Sequence, residues 1–215
     1  MRLGVFDSGI GGKAIAESLK LSFPDADIIT VDDRKNVPYG NKTNKEIINL
    51  TDKTVQPLLK QACDVIIIAC NTATAVAIDS LRAKYPNQKF IGIEPMVKTA
   101  NSLSSTRKIA VFATPATLNS QRYKKLVNKY AKNLEILEPD VSDWALMIEK
   151  NQINYESIRK VVEKVCQNGV DVIVLGCTHY HWIKNSIIEM ASQRAHVIEP
   201  SEAIGKRVKN LLNLS

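Results

Sequence analysis

The chain has 215 residues, of which 45% are hydrophobic and 24% are charged. This composition is typical of a globular protein that buries a substantial core, as one large domain or two small ones. The start, MRLGVFDSG, lacks the features of a signal peptide, and no apolar segment approaches the roughly 20 residues that span a bilayer, so we expect a cytoplasmic protein without membrane segments.

The formal net charge is +7, and the basic residues are spread along predicted helices. This spacing indicates solvated helix faces, although a positive field could also attract an acidic substrate or bind nucleic acid weakly. The net charge alone does not distinguish between solvated helix faces, an acidic substrate and nucleic acid. We expect no nucleic-acid partner. The clearest examples are Lys124, Lys125, Lys129, Lys132, Lys206, Arg207 and Lys209.

Short apolar or β-branched runs alternate with helical patterns along the chain, which is typical of βαβ units and a mainly parallel sheet. Each half has four predicted strands in matching positions. They are 3–6, 27–31, 65–69 and 89–93 in the first half, and 109–112, 134–137, 172–175 and 196–198 in the second.

Helical patterns precede the third strand of each half. Apolar residues keep helix spacing from Ile47 to Leu59 and from Ile158 to Cys166, and the second pattern ends at Asn168-Gly169, a good helix stop. A Glu-Pro pair follows the last strand of each half, at 94–95 and 199–200. Because proline disfavours helix at the residue before it, we expect the chain to cross to the other half there. The predicted units are residues 1–95 with 201–215, and residues 96–200.

The sequence also repeats itself at half its length. Three pairs of segments match in the same order: RLGVF from Arg2 with KIAVF from Lys108, DVIIIAC from Asp64 with DVIVLGC from Asp171, and IGIEP from Ile91 with HVIEP from His196. We therefore predict an α/β fold of two pseudo-symmetric parallel-sheet units that face each other across a central cleft. Cys70 and Cys177 would lie at equivalent strand ends on the two sides of this cleft.

Four cysteines, at positions 63, 70, 166 and 177, form no CxxC pair and no metal-type spacing, so we expect free thiols. Cys63 and Cys166 are each expected in a helix just before a strand, as core residues. Cys70 and Cys177 each follow a strand, where the N–H groups at a helix start favour thiolate over thiol. Two such thiols could take a proton from one face of a stereocentre and deliver one to the other, without a cofactor.

Other polar side chains follow the same strands, and ligands of open α/β sheets bind beyond these carboxyl ends. Hydroxyls and an amide would donate hydrogen bonds to negative charge that develops on a substrate, whereas Asp7 and His179 would accept or pass the thiol proton. The residues that could donate are Ser8, Asn71, Thr72, Thr114, Thr117 and Thr178. His181 and His196 are interpreted as surface or packing residues.

Two further interpretations compete with this one. The glycines after Asp7 could cradle a phosphate in a dinucleotide fold, but GIGG lacks the GxGxxG spacing, and the acidic residue after the second strand, Asp32 or Asp33, is ambiguous. A zinc site at Cys70, Cys177 and His179 is disfavoured because cysteines on opposite sides of a cleft would be too far apart. We predict no metal and no cofactor.

Five motifs together resemble those of the glutamate racemases, within the aspartate/glutamate racemase superfamily. GVFDSGIGG at 4–12 resembles the opening loop of the family, VPYGNKT at 37–43 its carboxylate-binding segment, and ACNTAT at 69–74 its first catalytic motif. TPAT at 114–117 and LGCTHY at 175–180 complete the set. The motifs span nearly the whole chain, and their combination is highly specific.

The resemblance implies interconversion of L- and D-glutamate with Cys70 and Cys177 as the two acid/base residues. It implies that further residues contact substrate or assist the thiols: Asp7, Ser8, Tyr39, Gly40, Asn71, Thr72, Thr178 and His179. It also implies a role in supplying D-glutamate for peptidoglycan, and a homodimer. An aspartate or other acidic amino-acid racemase of the same superfamily, and a non-catalytic amino-acid or nucleic-acid binding module, remain alternatives.

The chain departs from the family pattern at a few positions. Glu138-Pro139 stands where the family usually has Cys-Pro, Thr43 where serine is common, and Lys13-Ala14 where a more apolar pair is usual. We expect residue 138 near the rim of the cleft, where it would affect substrate preference or allosteric control. Glu149 is a weaker match to a family glutamate that supports the histidine of the second half.

Overall fold

The structure, a computed structural model, describes residues 1–214. This part of the chain contains eight strands, four in each half as predicted. They are β1 (Arg2–Asp7), β2 (Asp27–Asp32), β3 (Val65–Ile68), β4 (Phe90–Gly92), β5 (Lys108–Ala113), β6 (Glu135–Leu137), β7 (Val172–Gly176) and β8 (His196–Ile198).

The strands form two four-stranded sheets of the same order, β2-β1-β3-β4 and β6-β5-β7-β8, and all paired strands are parallel. The predicted α/β class with parallel sheets is therefore confirmed. In this order, β1 occupies the same position in its sheet as β5 does in the other, and β3 the same position as β7. The repeat found in the sequence thus corresponds to a repeat in topology.

Helices connect the strands, as parallel pairing requires. They are α1 (Gly12–Ser22), α2 (Asn44–Thr54), α3 (Gln56–Lys60), α4 (Asn71–Lys84), α5 (Val97–Leu103), α6 (Pro115–Leu118), α7 (Gln121–Tyr130), α8 (Trp144–Glu149), α9 (Tyr155–Gln167), α10 (Lys184–Ala191) and α11 (Ser201–Leu212). Short 3₁₀ helices cover Arg34–Asn36, Tyr39–Asn41 and Thr178–Ile183.

Of the two helical patterns predicted from the sequence, one forms two helices and the other forms one. The pattern from Ile47 to Leu59 is divided at Val55 into α2 and α3, because Pro57 has no N–H to continue the helical ladder and takes a place in the first turn of α3 instead. The second pattern forms α9, which is capped at Asn168, and Gly169 follows with φ of +83°. A left-handed residue after a helix is a common stop.

The described chain divides into two compact units, Met1–Glu94 with the chain from Pro200 onward, and Pro95–Glu199. In the first, Leu3 of β1 and Ile67 of β3 are fully buried beside Ile15 of α1 and Val208 of α11. In the second, strands β5 and β7 form the centre of a separate core with α5 and α7. Each unit therefore has its own hydrophobic core.

Asp64 and Asp171, which begin the matching segments DVIIIAC and DVIVLGC, have a structural function. Asp64 accepts a hydrogen bond from the backbone N–H of Arg2 at 2.7 Å, where β1 begins. Asp171 accepts from the N–H groups of Ser105 and Thr106 at 2.6 and 2.8 Å, just before β5. Each carboxylate satisfies backbone donors at the start of the neighbouring central strand, which explains why both copies begin with aspartate.

Cys63 and Cys166 are both buried, with 4% and 8% of their surface exposed, in agreement with core packing. Cys166 lies in α9 as expected, but Cys63 does not lie in a helix: α3 ends at Lys60, and Cys63 is in the turn that leads to β3. No helix in residues 1–214 is long and apolar enough to cross a membrane. The seven basic residues singled out in the sequence are all exposed.

Candidate active site

The predicted site residues of the first unit lie at the carboxyl ends of β1 and β3. These strands are neighbours in the sheet, with Phe6 opposite Ile68. Asp7 therefore ends β1 close to the point where the chain leaves β3 for Cys70, and Ser8 follows Asp7. All three are buried, with exposed fractions of 1% for Asp7, 4% for Ser8 and 5% for Cys70.

Cys70 is the N-cap residue of α4, as its position after a strand predicted. Its sulfur accepts a hydrogen bond from the backbone N–H of Ala73 at 3.4 Å. The hydroxyl of Ser8 donates a second hydrogen bond to the same sulfur at 3.2 Å. Both donors, together with the N-terminal end of the helix, stabilise negative charge on the sulfur.

Asn71 and Thr72 form the first turn of α4 and are both buried. The amide nitrogen of Asn71 donates to the carbonyl of Ile93 at 3.3 Å, which fixes the orientation of the side chain. Its Oδ1 has no hydrogen-bond partner within residues 1–214. A buried acceptor without a donor is uncommon in folded proteins, so Asn71 is a candidate contact for a bound molecule.

Gly12, the last glycine of the loop after β1, has a steric explanation. A Cβ atom at Gly12 would lie 2.7 Å from the Cβ of Asp7, so only glycine allows α1 to begin this close to the strand. One carboxylate oxygen of Asp7 accepts from the backbone N–H of Gly9 at 2.9 Å. The close approach to Asp7 accounts for Gly12 without a bound phosphate.

Tyr39 and Gly40 lie in the short 3₁₀ helix Tyr39–Asn41, where Tyr39 is 2% exposed. The hydroxyl of Tyr39 donates to Oδ2 of Asp33 at 2.7 Å. Burial and this hydrogen bond raise the pKa of Tyr39 well above its usual value. In the sequence, Asp33 is only an ambiguous acid after the second strand, but its position directly beyond β2 indicates the same edge of the sheet as Asp7.

In the second unit, Cys177 directly follows β7, and the element after it is the 3₁₀ helix Thr178–Ile183 rather than an α-helix. No N–H of this helix caps the sulfur of Cys177, so the expected stabilisation by a helix start is wrong for this residue. Its sulfur instead lies 3.9 Å from Nδ1 of His179. Cys177 is also partly exposed, whereas Cys70 is buried.

The buried ring of His179 and the partly buried carboxylate of Glu149 form a pair, with Nε2 of the ring 2.8 Å from Oε2 of the carboxylate. Because a carboxylate only accepts, Nε2 carries a hydrogen and donates it to Glu149. The atom that faces the sulfur of Cys177 is therefore Nδ1, which can accept a proton or hold one. Glu149 is only a weak match in the sequence, and the structure joins it to His179.

Buried hydroxyls complete the rim of the second unit. Thr114 follows β5 and caps α6 by accepting from the N–H of Thr117 at 3.4 Å, and the two threonine hydroxyls lie 3.1 Å apart. Thr178 is next to Cys177 and 6% exposed. These three residues lie where the sequence placed them, at the carboxyl ends of β5 and β7.

Glu138 lies directly beyond β6, at the same edge of the sheet as Cys177. It accepts a hydrogen bond from the hydroxyl of Tyr123 at 2.6 Å, and burial together with this bond raises the pKa of Tyr123 well above its usual value. Glu138 also lines a cavity of about 390 Å³, with Lys164 of α9 on its wall. Glu138, where the resemblance predicts a cysteine, therefore has a defined partner in this chain.

Comparison with known proteins gives the same family as the motifs. The model of the Asp/Glu/hydantoin racemase family matches residues 13–206. Glutamate racemase from a Sulfurovum species is 39% identical over 97% of this chain and 81% of its own length, and that from Clostridium botulinum is 35% identical over 98% of this chain and 86% of its own.

A solved structure of glutamate racemase from Francisella tularensis, in complex with D-glutamate, is 32% identical and superposes with a TM-score of 0.81. The match covers 99% of this chain and 81% of that one. The resemblance carried by the five motifs is thus confirmed along nearly the whole sequence. The chain belongs to the Asp/Glu/hydantoin racemase family.

Proposed function

We propose that this protein is a racemase that interconverts L- and D-glutamate without a cofactor, with Cys70 and Cys177 as its two acid/base residues. The observation that carries the proposal is the placement of these thiols. Cys70 closely follows β3, and Cys177 directly follows β7. Each of these strands occupies the third position in its own sheet. Relatives named glutamate racemase support glutamate as the substrate.

In the proposed reaction, one thiolate takes the α-proton of glutamate, and the electron pair of the broken C–H bond passes onto the substrate carboxylate group. The other thiol then delivers its proton to the opposite face of the α-carbon. The product is the mirror image of the substrate. The enzyme has gained one proton on the first sulfur and lost one from the second.

The remaining candidate residues would bind the substrate and stabilise this charge. A glutamate α-ammonium group fits the buried Oδ1 of Asn71, an acceptor that has no donor in the described protein. The hydroxyls of Thr72, Thr114, Thr117 and Thr178 and the Tyr39-Gly40 segment are proposed to receive the two carboxylates. Asp7 and His179 are proposed to assist proton transfer at Cys70 and Cys177, respectively.

From the family resemblance, we also propose a location, an oligomeric state and a cellular role for the enzyme. We infer that the enzyme works in the cytoplasm as a homodimer, and that its D-glutamate supplies peptidoglycan synthesis. Size measurement by light scattering tests the dimer directly. Growth of a strain that requires D-glutamate, with and without this protein, tests the supply of D-glutamate.

The main test is incubation of L-glutamate with the protein in D₂O, followed by circular dichroism and by deuterium at the α-carbon. We expect racemisation with exchange in the wild type and near loss of racemisation in Cys70→Ser and in Cys177→Ser. Cys63→Ser and Cys166→Ser are matched controls, because burial raises the pKa of both thiols and keeps them protonated. Full turnover in Cys70→Ser or Cys177→Ser would exclude the two-thiol mechanism.

The same assay with aspartate separates the closest alternative. We expect turnover of aspartate to be far slower than that of glutamate. Faster turnover of aspartate would assign the protein to aspartate instead. Absence of exchange with any acidic amino acid, together with binding of one, would favour the non-catalytic binding module.

A further inference from the structure

The two proposed catalytic cysteines differ in the groups that surround their sulfur atoms. The sulfur of Cys70 accepts hydrogen bonds from the Ser8 hydroxyl at 3.2 Å and from the Ala73 N–H at 3.4 Å. The sulfur of Cys177 lies beside Nδ1 of His179 at 3.9 Å and receives no capping hydrogen bond. The repeat therefore preserves the cysteine but not its partners.

The residue of the second unit that corresponds to Ser8 makes different hydrogen bonds. RLGVFDS from Arg2 aligns with KIAVFAT from Lys108, so Ser8 corresponds to Thr114. The Thr114 hydroxyl pairs with that of Thr117 and caps α6, and the hydrogen-bond partner of Cys177 is His179 rather than Thr114. A hydroxyl donor to the sulfur is thus specific to the first unit.

These partners differ in how many fixed hydrogen-bond donors each sulfur has. A sulfur that accepts from a hydroxyl and an amide, at the start of the 14-residue helix α4, is stabilised as the anion. The sulfur of Cys177 precedes only a six-residue 3₁₀ helix, and it faces an imidazole that can exchange a proton with it. Fixed hydrogen-bond donors that stabilise a thiolate are therefore present at Cys70, whereas at Cys177 the described neighbour is the imidazole of His179.

We propose that Ser8 keeps Cys70 as the thiolate in the free enzyme, so that Cys70 begins turnover as the base and Cys177 as the acid. This inference rests on the proposed function. When Cys70 takes the α-proton and Cys177 gives up its own, the thiolate moves from Cys70 to Cys177. The resting form returns when Cys70 loses a proton to solvent and Cys177 gains one, and His179 is the neighbouring group that can pass it.

The test is a titration that needs no substrate. In a protein with Cys177→Ser, Cys63→Ser and Cys166→Ser, Cys70 is the only thiol left, and the ultraviolet absorbance of its thiolate is followed against pH. We expect Ser8→Ala in this background to raise the midpoint by about one pH unit, the size of one hydrogen bond to a charged group. An unchanged midpoint would overturn the proposal.

Three variants make the result specific. Ser8→Thr retains a hydroxyl and should keep the midpoint of the parent protein, whereas Ser8→Gly lacks it and should match Ser8→Ala, so the test does not depend on the folding of one variant. Ser22→Ala is the matched control, since its hydroxyl donates to the carbonyl of Ser18 at the far end of α1. A shift in Ser22→Ala equal to that in Ser8→Ala would count against a specific role for Ser8.

Kinetics of the protein with both cysteines provide a second readout. The acidic limb of the pH profile of kcat/KM reports the base of the free enzyme, so Ser8→Ala should move this limb upward by the same amount as the titration. L- and D-glutamate have equal free energy, so the shift must be equal in both directions. A wild type that does not racemise glutamate would refute the proposed function, whereas a racemase with an unmoved titration would refute only the role of Ser8.

Discussion

Glu149 accepts a hydrogen bond from Nε2 of His179 at 2.8 Å, and this leaves Nδ1 of the ring to face the sulfur of Cys177 at 3.9 Å. His179 is buried, with 4% of its side chain exposed, and Glu149 is partly buried, with 13% exposed. The carboxylate thereby fixes which ring nitrogen carries hydrogen and which is available to the thiol. Glu149 of α8 and two residues that follow β7 are thus connected from carboxylate to imidazole to sulfur.

Replacement of Glu149 by glutamine should lower kcat because the amide can present its NH₂ group to the ring and leave the wrong nitrogen protonated. We expect a loss of about 10- to 100-fold, with a smaller effect on KM. Steady-state kinetics in both directions measure this, with a thermal melt to show that the fold is intact. Wild-type kcat in Glu149→Gln would show that His179 acts without its carboxylate partner.

Asp171 should make the stability of the protein depend on pH. Partial burial alone would raise the pKa of Asp171, but hydrogen bonds from Ser104, Thr106 and Ser105 outweigh burial and hold it below its usual value. A carboxylate with a lowered pKa stabilises the folded state fully above its unfolded pKa of about 4, and this stabilisation is lost as the pH falls through the folded pKa.

The variant Asp171→Asn tests this relationship. At neutral pH we expect it to be less stable than wild type by roughly 1–2 kcal/mol, since the carboxylate accepts several hydrogen bonds. The difference should shrink below about pH 4, where the wild-type carboxylate is also protonated. Urea unfolding at several pH values gives both numbers, and a difference that does not vary with pH would contradict the assignment.

Tyr123 and Glu138 should be coupled, because the tyrosine hydroxyl donates to the carboxylate at 2.6 Å and the ring of Tyr123 is 4% exposed. We expect Tyr123→Phe to lower the free energy of unfolding by about 1 kcal/mol. A double-mutant cycle with Glu138→Ala should give a coupling of about 0.5–1.5 kcal/mol. Additive effects of the two changes would mean that the contact does not stabilise the protein.

A substitution at Glu138 also tests whether this residue has only a structural role or influences substrate binding. Glu138→Cys restores the usual family residue and removes the acceptor for Tyr123. If residue 138 serves packing and hydrogen bonding alone, stability should fall and KM for glutamate should stay unchanged. A change in KM for glutamate or in the ratio of glutamate to aspartate turnover would show that this position influences the substrate.

Much of the fold could be predicted from the sequence because its signals are local or repeated. Continuous apolar runs such as VIII and VIVLG predict strands that are buried on both faces, and the repeat predicts that both halves have the same strand order. The break at Val55 was missed, although Pro57 was visible, because the apolar periodicity continues through it. The turn before Cys63 was not predicted either: α3 ends at Lys60, and Ala62 has a left-handed backbone conformation with φ of +49° that its residue type does not signal.

By itself, the sequence determined the family, the two four-stranded sheets and the strand ends at which Cys70 and Cys177 lie, since these depend on pattern and order along the chain. Tertiary structure alone decided what each sulfur contacts. Ser8 is 62 residues from Cys70, and Glu149 is 30 residues from His179, so neither hydrogen bond could be read from spacing. Parallel strands bring such distant residues to one edge of a sheet, and only folded geometry decides which of them come within hydrogen-bond distance.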